Sequence, residues 1–301
     1  MIVYSKKMKV LPVDVNFLGI TEIELHAYDT SKVVLQQLPY EHTSSYKKGS
    51  ANGPQAVLYS SRYVEYYDTE LDDEAYKKCG IATIEPIDFA GKVDAEAMEV
   101  IYQASKEHLS NNKFLVSIGA EHTVSYGIFK AFQEKWDDIG ILQLDAHSDL
   151  RMEYEGNKWS HASVMARINE LNPTIVQVGV RAQCIEEAAL VKASDNIHCY
   201  YAHQIWENDT WMDELVQKLP EKLYITIDTD GFDPSICPSV GTSEPGGLQW
   251  HPTLKLLKKI FEQCDVKGFD IVELNPSASD DSTAYTMAQL CYKLIGYKYC
   301  T

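Results

Sequence analysis

Short runs rich in β-branched and other apolar residues recur along the chain, and between them apolar positions repeat every three or four residues. The runs Lys113–Ile118, Ile139–Leu144, Thr174–Val180, Leu223–Ile227 and Lys267–Val272 predict strands, and Lys32–Leu38 predicts another nearer the amino terminus. Helices are predicted over Ala95–Leu109, Ser125–Trp136, Ser160–Asn169, Ile185–Ala193, Trp211–Leu219, Pro252–Cys264 and Ser282–Tyr297. One more opens at Gly53-Pro54 and runs to Val64, because proline suits a first helical position. Strands joined by helices of this length run parallel, since antiparallel neighbours need only a hairpin. An α/β fold with a mostly parallel sheet follows. No repeat, linker or charge block divides the 301 residues, so a single domain over 1–301 is expected.

Composition narrows the function. Acidic residues outnumber Lys and Arg by 44 to 27, a formal net charge of −17. That sign is wrong for neutralising nucleic-acid phosphates or docking on anionic lipid, so no nucleic-acid or membrane partner is expected. A small cationic ligand is easier to accommodate. The seven cysteines form no Cys-x-x-Cys pair, which indicates neither a disulfide framework nor a thiolate zinc site and fits a reducing cytoplasm. Asp14 and Asn16 interrupt the stretch that follows Lys6, Lys7 and Lys9, so no secretory leader is expected. Nor does any apolar run approach the length of a membrane span.

Parallel sheets bind ligands outside the carboxyl ends of their strands, and the residues there are unusual. Gly119-Ala120-Glu121-His122-Thr123 follows one predicted strand and Asp145-Ala146-His147-Ser148-Asp149 the next. Asp228-Thr229-Asp230-Gly231-Phe232-Asp233-Pro234 and Glu273-Leu274-Asn275-Pro276 follow two others. Side chains two apart on an extended backbone point the same way, so Asp145, His147 and Asp149 converge if strand geometry continues past Leu144, and Asp228 and Asp230 repeat the spacing. An isolated Asp-x-Asp is usually a turn; three strand ends carrying His122, this triplet and this pair are not explained that way. Unpaired buried carboxylates cost several kcal/mol each, so the cluster calls for divalent cations. Imidazoles and carboxylates without thiolate favour Mn²⁺, with Co²⁺, Ni²⁺ or Zn²⁺ able to substitute. Six side chains exceed the needs of one ion. Two ions sharing carboxylates, with an activated water between them, imply hydrolysis.

At these residues the sequence resembles the ureohydrolase superfamily, the arginase and agmatinase group of binuclear manganese amidinohydrolases. Ser160-His161-Ala162 and Gly241-Thr242-Ser243-Glu244-Pro245-Gly246-Gly247-Leu248 extend the match, which covers most of the chain. The resemblance implies a three-layer α/β/α fold. It implies that His122, Asp145, Asp149 and Asp228 hold one manganese and Asp145, His147, Asp228 and Asp230 the other, with Asp145 and Asp228 bridging. A hydroxide shared by the metals would attack the guanidinium carbon. Glu273 would pair with the guanidinium, His161 would transfer a proton, and Asp230 would pass the hydroxide's proton towards the leaving nitrogen. The group's usual Gly-Gly-Asp-His-Ser and Ser-His-Gly read Gly-Ala-Glu-His-Thr and Ser-His-Ala here, which keeps each catalytic group but alters its neighbours.

Arg151 stands where arginases carry an asparagine that recognises the α-amino acid end of arginine, so the segment is more similar to agmatinases. The expected reaction is agmatine to putrescine and urea. Arginase, guanidinobutyrase, formiminoglutamase and aminopropylagmatine ureohydrolase activities are the alternatives. From another class comes a catalytically silent scaffold, against which the complete ligand set argues. An acidic rim containing Glu153 or Glu155 would attract a second cationic end of the substrate. The polar segment Tyr40–Asn52 is either a surface excursion or a substrate-covering loop. Members of the group usually form trimers or hexamers, so a homo-oligomer is expected.

Overall fold

The six apolar runs expected to be strands all are strands, and they assemble with two more into one sheet. The computed structural model describes residues 9–206 and 208–301; Lys6 and Lys7 lie outside them. The strands are β1 (Val33–Leu38), β2 (Ile81–Thr83), β3 (Phe114–Gly119), β4 (Gly140–Leu144), β5 (Ile175–Val178), β6 (Ile197–Tyr200), β7 (Lys222–Asp228) and β8 (Asp265–Val272). Their order is β2-β1-β3-β8-β7-β4-β5-β6, and every pairing between them is parallel.

Helices cover both faces, because side chains alternate across each strand and both sides of the sheet are apolar. Leu35, Val116, Leu142, Ile225 and Phe269 face one core, closed by helices Gly53–Ser61, Trp250–Gln263 and Ser282–Tyr299. Val34, Leu115, Ile141, Ile175 and Tyr224 face the other, closed by Asp94–Ser110, Val124–Lys135 and Val164–Asn169. The three-layer arrangement thus follows from the two-residue period of the strands.

Differences from the sequence reading sit at short elements. β2 and β6 have three and four residues and lie at the two edges of the sheet, where one-sided pairing demands little pattern. The expected helix Ser160–Asn169 is a 3₁₀ turn at His161–Ser163 followed by an α-helix over Val164–Asn169. The helix expected to run from Gly53 to Val64 ends at Ser61.

What positions the site is the order of the sheet's middle. After β3 the chain crosses to β4, continues outward through β5 and β6, and then returns to lay β7 and β8 in the gap. Four neighbouring strands, β3, β8, β7 and β4, therefore end side by side at a reversal of winding, where open α/β sheets bind ligands. Register brings their ends level: Leu144 pairs with Ile227, Asp228 with Val272, and Ile118 with Ile271.

Candidate metal centre and substrate cavity

His122, Asp145, Asp149, Asp228 and Asp230 are buried at these strand ends, and His147 and Glu273 are partly exposed. The backbone does not bring them together as expected. Strand β4 stops at Leu144, and Asp145 begins a turn in which its Oδ1 accepts the backbone N–H of His147 at 2.6 Å. Asp149 then takes a left-handed conformation with φ of 52°. The same device recurs beyond β7, where Asp228 Oδ1 accepts the N–H of Asp230 at 2.8 Å. Convergence comes from side-chain-to-backbone turns rather than from continued strand alternation, because a carboxylate can satisfy the N–H two residues on. Gly231 permits it: a Cβ there would lie 2.9 Å from the backbone nitrogen of Asp145.

Two groups of ligand-type atoms result, His122 with Asp145 and Asp149, and Asp145 with His147 and Asp230. His122 Nδ1 lies 3.1 Å from Asp145 Oδ2, 3.1 Å from Asp149 Oδ2 and 3.4 Å from Asp228 Oδ2. His147 Nδ1 lies 3.2 Å from Asp230 Oδ2 and 3.6 Å from Asp145 Oδ1. Asp145 belongs to both groups, and Asp228 lies beside them, its Oδ2 near His122 and its Oδ1 on the N–H of Asp230.

The donors suit a cation. Thr226 donates its hydroxyl to Asp270 Oδ1 at 2.6 Å, so Thr226 Oγ1 accepts from His122 Nε2 at 2.9 Å and the lone pair falls on Nδ1. That Nδ1 is buried without a hydrogen-bond partner. Burial opposes a charged His122, yet the carboxylates of Asp145, Asp149 and Asp228 raise its pKa well above the usual value. Burial, and then the charge of Asp145, pushes Asp149 up to about 7. Burial and the charges of Asp230 and Asp145 likewise raise Asp228 well above the carboxylate range. Such a cluster holds protons unless metal ions replace them.

A cavity of about 180 Å³ opens beside these groups. His147, Asp149, Asp228 and Asp230 form its floor, and Glu273 and His161 stand in its walls. Glu273 has a left-handed φ of 61°, and its Oε1 accepts the backbone N–H of His122 at 2.7 Å. Its remaining acceptor capacity is therefore centred on Oε2, and burial raises its pKa well above the usual range. Burial also holds the His161 imidazole down to about 4, so it is neutral at neutral pH.

Other walls were not read from the motifs. Ser44, Ser45, Tyr46 and Lys47 line the cavity, so the segment Tyr40–Asn52 contributes one wall of the site. Glu41 ties that segment by accepting the N–H groups of Gly49 and Ala51 at 2.8 and 3.2 Å. Its polar, glycine-punctuated composition was the only signal available. Glu153 and Glu155 are exposed and do not line the cavity; Arg151 and Tyr154 of the same segment do, which gives the rim no acidic wall there. Arg181 joins two loops below, donating to the carbonyls of Asp230 at 2.7 Å and Glu244 at 2.8 Å.

Comparison with known proteins agrees with this architecture. Residues 31–296 match the Arginase family. The chain is 36% identical to an N(1)-aminopropylagmatine ureohydrolase of Synechocystis over 277 residues, covering 90% of each. It is 32% identical to an agmatinase of Pyrococcus horikoshii, covering 87% of this chain and 90% of that one. The solved agmatine ureohydrolase of Thermoplasma volcanium superposes with a TM-score of 0.80 at 26% identity, covering 92% of this chain and 93% of that one.

Proposed function

The chain belongs to the arginase family, and from that premise we propose that it is a binuclear manganese ureohydrolase that cleaves agmatine to putrescine and urea. The observation that carries this reading is the meeting of both ligand groups, His161 and Glu273 at one cavity. His122, Asp145, Asp149 and Asp228 would hold one ion, and Asp145, His147, Asp228 and Asp230 the other. When bound, the two ions would supply an activated water and stabilise the negative charge on its oxygen as it attacks the guanidinium carbon.

The remaining chemistry falls to side chains. Glu273, anchored through Oε1, presents Oε2 to the guanidinium and fixes the carbon over the metal groups. Asp230 passes a proton from the attacking water towards the departing nitrogen. His161, neutral at the working pH, takes up and returns a proton as the amine leaves. Ser44 to Lys47 line the cavity and would limit the access of bulk water to it.

A second reading is N(1)-aminopropylagmatine as substrate, favoured by the Synechocystis relative's higher identity of 36% against 32% for the agmatinase of Pyrococcus horikoshii. Urea release from agmatine, N(1)-aminopropylagmatine, arginine and guanidinobutyrate by the manganese-loaded protein tests both. The highest kcat/KM identifies the substrate, and no urea from any of them overturns the ureohydrolase reading.

A single domain over residues 1–301 is supported by the one sheet spanning residues 33–272. Seven free cysteines support a reducing cytoplasm as its compartment. Among the described residues no helix is long and apolar enough to cross a membrane. A homo-oligomer and the absence of a nucleic-acid partner complete the proposal; gel filtration with light scattering tests the first.

A further inference from the structure

Thr43 stands between the buried carboxylate of Glu121 and the ring of His161. Glu121 Oε2 receives the backbone N–H groups of His42 at 2.9 Å and Thr43 at 2.7 Å, and the Thr43 hydroxyl lies 3.2 Å from the same oxygen. An oxygen facing two N–H donors carries no proton of its own, so the Thr43 hydroxyl donates in the third contact. With its one proton committed, Thr43 Oγ1 has two lone pairs to offer. Two atoms of His161 reach them: the backbone nitrogen at 3.0 Å and Nδ1 at 3.1 Å. If both donate, both lone pairs of Thr43 Oγ1 are used, Nδ1 bears the ring proton and Nε2 is bare. Glu121 Oε1 has no hydrogen-bond partner among the described residues, and the three hydrogen bonds to Oε2 all come from His42 and Thr43.

We infer that Glu121 and Thr43 are positioning residues that hold His161 in the Nδ1–H tautomer, so that Nε2 is the nitrogen that accepts and returns a proton in the cavity. The inference rests on the proton-transfer role proposed for His161. It also assigns a task to Glu121, which departs from the aspartate of the usual motif, and to the loop that lines the cavity. A histidine in the wrong tautomer presents a donor where an acceptor is needed, and turnover suffers more than binding.

Thr43→Val keeps the side chain's shape and removes the hydroxyl; Thr43→Ser restores it. In each, kcat and KM are measured for the substrate that the parent turns over fastest. The His161 ring nitrogens are observed by ¹⁵N NMR on histidine-labelled protein loaded with diamagnetic Zn²⁺, with His161→Gln assigning the resonances. The parent and Thr43→Ser should show a protonated Nδ1 and a bare Nε2. In Thr43→Val the other tautomer should appear, with kcat down by roughly tenfold or more and KM nearly unchanged. An Nε2–H ring in the parent, or a Thr43→Val variant with the parent's tautomer and kcat, overturns the inference. If the parent releases no urea from any guanidino compound, the functional reading falls, and the ring spectra alone decide the tautomer.

Discussion

Glu273 accepts a hydrogen bond from the backbone N–H of His122 at 2.7 Å, so the residue assigned to the guanidinium is braced by a residue assigned to the metal. The brace closes a loop of contacts, because the Glu273 N–H in turn donates to the carbonyl of Ala120 at 2.7 Å. The ends of β3 and β8 are thereby locked at one height, and left-handed backbone at Glu273 is the cost of aiming its side chain across them.

Glu273→Gln separates these two tasks. Its amide oxygen can keep the bond to His122, while the charge that faces the guanidinium is lost. Thermal unfolding should be nearly unchanged, and kcat/KM for urea release should fall by about 100-fold or more, as for a charge-assisted pair reduced to a neutral one. Calorimetry and steady-state kinetics on the same preparation check both halves.

Metal binding should release protons. Asp149 is held up to about 7 and His122 well above its usual value, so at and below neutral pH the metal-free cluster carries protons that a cation displaces. Manganese affinity should therefore rise with pH through about 7, by roughly tenfold per unit for each proton displaced. Asp145→Asn, which weakens both groups at once, should lower affinity by about 100-fold or more. Titration calorimetry in buffers of different ionisation enthalpy reads the affinity and the proton count together.

Arg181 should be a structural hinge pin rather than a substrate contact. Its guanidinium donates to the carbonyls of Gly179, Asp230, Gly231, Phe232 and Glu244, a fan that lysine cannot reproduce. Arg181→Lys should destabilise the chain by about 2–3 kcal/mol, since several carbonyls lose a charged donor. Urea-induced unfolding measures this, and the variant should also retain manganese less well.

Away from the site, His108 should govern part of the acid sensitivity. Burial, with Lys113 adding to it, holds its pKa down to about 4, and its Nδ1 lies 3.1 Å from the Tyr28 hydroxyl. The unfolded chain binds the proton first, so stability is complete above about 6.5, falls as pH drops towards 4, and levels off below. The loss is on the order of 3 kcal/mol. Unfolding free energies of parent and His108→Gln between pH 7 and pH 4 should differ in slope across that window, with the flatter profile in the variant.

The legible part of this protein was local. Apolar runs at β3, β4, β7 and β8 announced buried parallel strands because each must be apolar on both faces. The residues just beyond them announced the chemistry, since acids and imidazoles concentrated at strand ends have no packing role. Ile81–Thr83 and Ile197–Tyr200 stayed hidden because three or four residues at a sheet edge carry too little pattern to outweigh their surroundings.

The sequence by itself therefore determined the strands, their parallel direction and the chemical nature of the site, all properties of short segments read one at a time. Only the tertiary structure decided that β7 and β8 fill the gap between β3 and β4 and set Asp228 level with Asp145. It alone decided that turns, not extended backbone, aim Asp145 and Asp149. Contacts such as that of Thr43 with His161, 118 residues apart, depend on where the folded chain returns to itself, and no local spacing encodes that.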